Sequence, residues 1–404
     1  MRTLTAFILA AALPLCAQTP RRLDTATFVV LGEGLAAGMA DFGLHRAGQE
    51  KSFPALVAKQ MGANFPQPLL EAPGLGHVPG QPRLPVRVPA PLQTTVRVQF
   101  PPPLFVFNLS VPGMTVAGAL RDRPTPPLVH LDDMYQTTLN FILGFSPLLL
   151  GENLPLWSQV ESAEQLNPTI ALVALGYADV LDGATSGAPD RLPTVTAFRQ
   201  AYDEILTRVS GRFPALLAAN IPDPFDTAYF TRVSEAHRLI GAPPDVLRRL
   251  YGVEEGDWLT IHGLMAIGSQ LETGEPESLP EGGLVRATAA AAIRQRVQAL
   301  NAEITASAQA HQAALYDLAA LFRRVRQSGF ATGSRVLTAD YLGGFYLLNG
   351  LFPGQTGHAA IANELLELIN RSHATSFPLV DVAAAAAADP AGRYPAVRRQ
   401  EASE

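Results

Sequence analysis

Cysteine is almost absent from this chain: one residue, Cys16, in 404. A lone thiol closes no disulfide within the chain, so stability must come from packing. Metal-ligand patterns are missing as well. The histidines (His45, His77, His130, His237, His262, His311, His358 and His373) are scattered. None stands at ligand spacing with another His, Cys or carboxylate, so neither a metal nor a cofactor is expected. Charge is sparse at 16% of residues, with a formal net charge of −6. No basic surplus exists to bind nucleic acid. Long apolar runs are lacking too. Phe7 to Leu15 and Leu139 to Leu150 both fall short of the ~20 residues that span a bilayer. No internal repeat is visible.

What is present begins with an export-like start. Arg2 supplies a positive end, Phe7 to Leu15 an apolar core and Ala17 a small residue before a cut. Residues 1–17 are therefore expected to be a secretory signal, and the protein to be periplasmic or extracellular. Cys16 would leave with it. A lipid-anchored Cys16 is the sharper alternative, but Leu15 stands where such motifs carry a small residue.

Several short apolar runs end abruptly at glycine or proline. Thr27 to Leu31 stops at Gly32, Thr169 to Leu175 at Gly176, and Ala215 to Ile221 at Pro222. These runs, with Val106 to Leu109 and Ala313 to Leu318, read as buried strands. Helical spacing marks Ser52 to Met61, Leu284 to Ala310 and Gly357 to Asn370. Strands alternating with helices predict an α/β fold: a three-layer sandwich with a central parallel sheet. The predicted domain spans 24–372, with inserts at 73–103 and 121–165 and a tail over 373–404. The 73–103 insert is rich in Pro and Gly and reads as a loop carrying a short extended ribbon.

Four segments then stand in a telling order. They are FVVLGEGLAAG from Phe28, Asn108 to Thr115 with Gly113, Ala174 to Leu181 with Gly176, and Asn349-Gly350-Leu351-Phe352-Pro353 followed by Gly357 to Ala362. Together they resemble the SGNH or GDSL hydrolases, a family of ester hydrolases built as a three-layer sandwich of this kind, and the resemblance implies flavodoxin-like topology. The resemblance implies a serine nucleophile at the position of Gly34 and an oxyanion-binding glycine at Gly113. It implies an oxyanion-binding asparagine at Ala178, an orienting aspartate at Asn349 and a histidine base at Phe352. All four side-chain positions have lost their chemistry. Glycine offers no nucleophile, a phenyl ring takes no proton, and alanine donates no hydrogen bond. The N–H groups of Gly34 and Gly113 remain as oxyanion donors.

The substitutions themselves are small or apolar. Either Phe352 fills the space beside Gly34 and the cleft has closed, or an apolar pocket remains for a small apolar or acyl ligand. The family likeness therefore implies a catalytically degenerate protein that binds or scaffolds. An ester hydrolase using other residues, and a structural envelope protein without a ligand, are the competing readings. For the former, His358 is a candidate replacement base. Glu33 with His45 is a candidate acid–base pair, and Asp41 with His45 would share a face if 41–45 were helical. Asp179 is expected to cap the helix after its strand. Asp132-Asp133 and Glu161 to Glu164 read as solvated surface charges.

Overall fold

The computed structural model describes residues 23–72, 74–76, 103, 105–150, 155–212, 214–333 and 335–393. The export-like start, Cys16, the ribbon expected within 73–103 and the last residues to Glu404 lie outside them. The strands are β1 (Phe28–Gly32), β2 (Ile170–Ala174), β3 (Ala215–Ala219), β4 (Phe230–Arg232), β5 (Trp258–Thr260), β6 (Leu284–Val285), β7 (Ala314–Tyr316), β8 (Phe330–Ala331) and β9 (Val336–Leu337).

The central sheet is parallel throughout, in the order β1-β2-β3-β7. All five residues of β1 are buried, as expected of a strand covered by helices on both faces. The expected strand Val106 to Leu109 shrinks to one parallel bridge, Val30 with Asn108. It still runs beside β1, since Phe107 and Leu109 exchange backbone hydrogen bonds with Val30. Gln159 ties the two together: its side-chain amide donates to the carbonyls of Gly32 and Leu109, 2.8 Å each. Counting that segment second, the spatial order is 2-1-3-4-5, the flavodoxin-like order. In such sheets the ligand crevice lies beyond the carboxyl end of the first strand, where the chain order reverses. Gly34 sits there.

The helices follow the sequence pattern except at one start: Leu284 and Val285, expected at the head of the helix to Ala310, pair with Leu259 and Trp258 as β6. Phe53–Met61 starts with Pro54 in its first turn and stops at Gly62 in the left-handed conformation. Ala287–Ala310 and Gln355–His373 are the long helices. The apolar run Leu139 to Leu150 is split by Gly144 into Met134–Leu143 and Phe145–Leu150. Asp133 and Glu161, read as surface charges, cap helices. Asp133 accepts from the Gln136 N–H, and Glu161 completes a capping box with Ser158.

Two regions depart from the expected layout. Between β3 and the Ala287–Ala310 helix lies an antiparallel sheet, β4-β5-β6, with its own small core of Val233, Leu247, Val253, Leu259 and Ile267. Its strands have two or three residues, too short to show a period of two. Trp258 on β5 is stacked under Arg232 and Arg294, at 4.5 and 5.1 Å from the ring centroid. Arg294 also pairs with Asp223 at 2.8 Å, which fastens this sheet to the end of β3. The second departure is the expected tail. Residues 382–388 form a helix, and Asp389 and Ala391 beyond it are buried. Among the described residues no helix is long and apolar enough to cross a membrane.

Candidate functional site

The turn after β1 sets the site. Glu33 is extended and caps the short Gly34–Ala37 helix, its carboxyl accepting the Leu35 N–H at 2.9 Å. Glu33 is 1% exposed, and burial pushes its carboxyl up to about 8, with the charge of Asp179 adding to the rise.

Phe352 occupies the space in front of Gly34. A β-carbon built on Gly34 would stand 2.9 Å from the Cζ of Phe352 and 3.2 Å from its Cε1. Real β-carbons do not approach a ring so closely, so a side chain at 34 and this ring position exclude one another. Phe352 is 2% exposed and stands edge-on to Tyr177, centroids 6.2 Å apart at 85°. Tyr177 in turn meets Phe322, and Phe322 meets Tyr346, at 6.4 and 5.7 Å. These edge-to-face contacts make an aromatic wall across the carboxyl edge of the sheet. The Tyr177 hydroxyl donates to the Leu351 carbonyl at 3.2 Å, holding the Phe352 loop from the other side.

Asn349 is the hub of that loop. Its side-chain carbonyl accepts the N–H groups of Leu351 and Phe352, 2.8 and 2.9 Å. Its amide donates to the carbonyls of Ala40 and Asp41, 3.0 and 2.9 Å. An aspartate makes the first pair and cannot make the second, because a carboxylate only accepts. The amide is therefore matched to its place, and it binds the loop to the turn after Gly34.

The Gly113 side is different. Gly113 is exposed and has φ +85, where a side chain is strained. The half-buried ring of Tyr135 lies over it, 3.3 Å from where a β-carbon would be. The Tyr135 hydroxyl donates to Asp122 at 2.6 Å. Ala178 is half-buried. Its neighbour Asp179 caps a helix, but not its own. The carboxylate accepts the Val116 N–H at 2.9 Å, at the start of the Val116–Arg121 helix. Burial raises Asp179 to about 7, against the pull of that N–H. The loop bearing Gly113 is thus held by Asp179 on one side and by Gly32, whose carbonyl takes the Val111 N–H, on the other.

A chain of contacts therefore connects several of the positions singled out: Gly34 to Phe352, Phe352 to Asn349 and Tyr177, and Asp179, next to Ala178, to the helix that follows Gly113. Of the other candidates, Glu33 and Asp41 border this chain, Asp41 through Leu348 and Asn349, and His358 does not join it. His358 is 4% exposed, stacks on Phe53 and accepts the Phe53 N–H through Nδ1 at 3.3 Å. Burial pushes it down to about 4, so it is a neutral core residue on the side of the Phe53–Met61 helix. Residues 41–45 are not helical, so Asp41 and His45 share no helix face. The Asp41 carboxylate accepts the Leu348 N–H at 2.7 Å. The charge acting on Glu33 comes from Asp179, not His45. Among the described residues no group of three His, Cys, Asp or Glu is placed to hold a metal.

Three residues that sequence reasoning passed over belong to this region: Tyr135, Tyr177 and Gln159. Tyr177 lay within a segment already singled out, directly after Gly176. Nothing local marked the other two, since each acts on residues distant in the chain.

No family model matches the chain, and no curated protein matches it. Solved structures similar to it include the psychrotrophic esterase EstA from Pseudoalteromonas sp., at 13% identity over 87% of this chain and 100% of that one, TM-score 0.37. LAE5, an alpha/beta hydrolase enzyme from the metagenome of Lake Arreo, matches at 12% identity over 87% and 97%, TM-score 0.39. A candidate GDSL-like lipase from Parabacteroides merdae ATCC 43184 matches at 9% identity over 86% and 97%, TM-score 0.39. These superpositions are too loose to carry residue roles across. On its own coordinates the chain is an α/β protein with a parallel sheet in 2-1-3-4-5 order, and the contacts around Gly34 and Phe352 lie at the reversal point of that sheet.

Proposed function

We propose that this chain is an exported protein of the SGNH hydrolase type that does not hydrolyse esters and acts by binding or scaffolding. The observation that carries the reading is the Gly34–Phe352 contact. The position of the nucleophile holds no oxygen, and the ring of Phe352 stands where such a side chain would project. The base position is the same ring, and the orienting position is an amide committed to four backbone groups. A hydrolase of this type needs nucleophile, base and oxyanion donors together, and they act as one unit. The ligand class this reading carries is a small apolar or acyl group.

Labelling tests this directly. The purified protein is treated with a fluorophosphonate that modifies serine hydrolases, and its intact mass is measured. No adduct is expected, and turnover of short p-nitrophenyl esters should equal that of a heat-inactivated control. Stoichiometric modification of any Ser or Thr would sink the reading and favour a hydrolase with a relocated nucleophile.

A further inference from the structure

The Gln355–His373 helix begins without a local cap. Its N-cap residue is Gly354, which has no side chain to accept the first-turn N–H groups. The missing acceptor comes from the far end of the described chain. Asp389 Oδ2 accepts the Thr356 N–H at 2.7 Å and the Thr356 hydroxyl at 2.8 Å. Its other oxygen accepts the Ala391 N–H at 3.0 Å, which closes the turn that carries it. Asp389 is 1% exposed and Ala391 fully buried. A β-carbon on Gly354 would lie 2.7 Å from Asp389 Oδ2, so glycine at 354 is what lets the carboxylate in. Arg335 donates to the Gly392 carbonyl and pins the end of the same segment.

Gly354 is also the last residue of the loop that carries Phe352. That loop closes on itself through Gly354 N–H to Phe345 O, 2.9 Å, and Leu347 N–H to Phe352 O, 3.0 Å. Its opposite side is held by Asp41 and Asn349. The Asp389 charge is near enough to push the Asp41 carboxyl up, behind the larger effect of burial. Strap, loop and post-Gly34 turn form one cluster.

We propose that residues 381–393 are an internal strap that locks the Phe352 loop over Gly34, and that Asp389 is its latch. Opening the Gly34 side requires Phe352 to leave, and Phe352 leaves only with the loop. Release of the latch removes the cap from the helix that begins immediately after the loop. The cleft is then closed by a reversible contact rather than by Phe352 packing alone. This inference concerns the mobility of a loop, so it stands or falls separately from the labelling test.

Hydrogen exchange read by peptide mass spectrometry, on the full chain and on Asp389→Ala, tests it. Peptides covering 345–356 should exchange on the order of tenfold faster in the variant, the effect of losing one helix cap. Peptides covering 33–42 should follow, because Asn349 holds that turn. Peptides from β2 and β3 should not change. Unchanged exchange at 345–356 overturns the proposal, and so does equal acceleration everywhere, which would mean general destabilisation. Acceleration at 345–356 with silence at 33–42 would refute control of the cleft. Should Asp389→Ala fail to fold, Asp389→Asn, which keeps the shape and one acceptor oxygen, gives the same readout with a smaller local acceleration expected.

Discussion

The Gly34 half and the Gly113 half of the site have gone different ways. Around Gly34 everything is buried and mutually fitted. Phe352 lies against the glycine, Asn349 satisfies four backbone groups, and Glu33 takes up the Leu35 N–H. Around Gly113 the backbone stays exposed, Ala178 is half-buried, and a single tyrosine ring covers part of the surface. The difference follows from where each position sits. A side chain lost from a buried position leaves a void, and a void forfeits dispersion contacts on all its walls. A ring that fills it is stabilising. A side chain lost from a half-exposed position is replaced by water, and nothing needs to repack.

The comparison is broken most sharply by removing the ring. Phe352→Ala should cost about 3–5 kcal/mol, the range for truncating a core phenylalanine. Gly34→Ser should be destabilising alone and less so in the Phe352→Ala background, where the space has been vacated. Additive losses in thermal unfolding would show that the two positions are not coupled.

Asn349→Asp probes the same half by charge rather than size. It keeps the two accepted N–H groups and strips the Ala40 and Asp41 carbonyls of their donors. Stability should fall by about 2–4 kcal/mol at pH 7, since buried polar groups lose their partners beside a new carboxylate. A variant as stable as the parent in urea titration would mean that this half is looser than its contacts indicate.

A smaller and pH-dependent effect is expected at Glu33. Its carboxyl is raised from 4.5 to about 8 in the folded protein. Between those values the folded chain holds a proton that the unfolded chain has shed. The stability this contributes is complete below about pH 4.5 and is lost as pH rises through 8. Glu33→Gln keeps an acceptor for the Leu35 N–H and cannot ionise. Its melting temperature should match the parent at pH 4.5 and exceed it at pH 8, by an equivalent of about 1–3 kcal/mol. A constant offset at both pH values would contradict the burial of the carboxyl. Asp179, raised to about 7, widens the contrast at pH 8, because its charge opposes ionisation of Glu33 and leaves Gln unaffected.

The smallest effect sharpens the contrast from the open half. Ala178→Asn should change stability by less than about 0.5 kcal/mol, as for surface substitutions without special partners. On the proposed reading it should bring no ester turnover, since position 34 still lacks a hydroxyl and position 352 a proton acceptor. A loss comparable to that of Phe352→Ala would show that the Gly113 half is as tightly packed as the other.

Much of this was legible in the chain itself. Apolar runs stopping at Gly32, Gly176 and Pro222 marked the parallel strands, because a strand buried on both faces reads as a continuous apolar stretch. That Gly34, Ala178 and Phe352 carry no nucleophile, hydrogen-bond donor or base in their side chains was visible as residue types, since chemistry absent from a side chain is absent in any fold. Tertiary structure alone decided how these residues pack. Whether Phe352 reaches Gly34 depends on a loop anchored by Asn349 to Ala40 and Asp41. Whether that loop is held depends on Asp389, which no pattern near Gly354 announces. The β4-β5-β6 sheet was equally hidden, its strands too short for any periodicity. Local sequence dictates backbone habit and available chemistry. Which surfaces meet is fixed by the packing of residues hundreds of positions apart, and that packing set the Phe352 ring against Gly34.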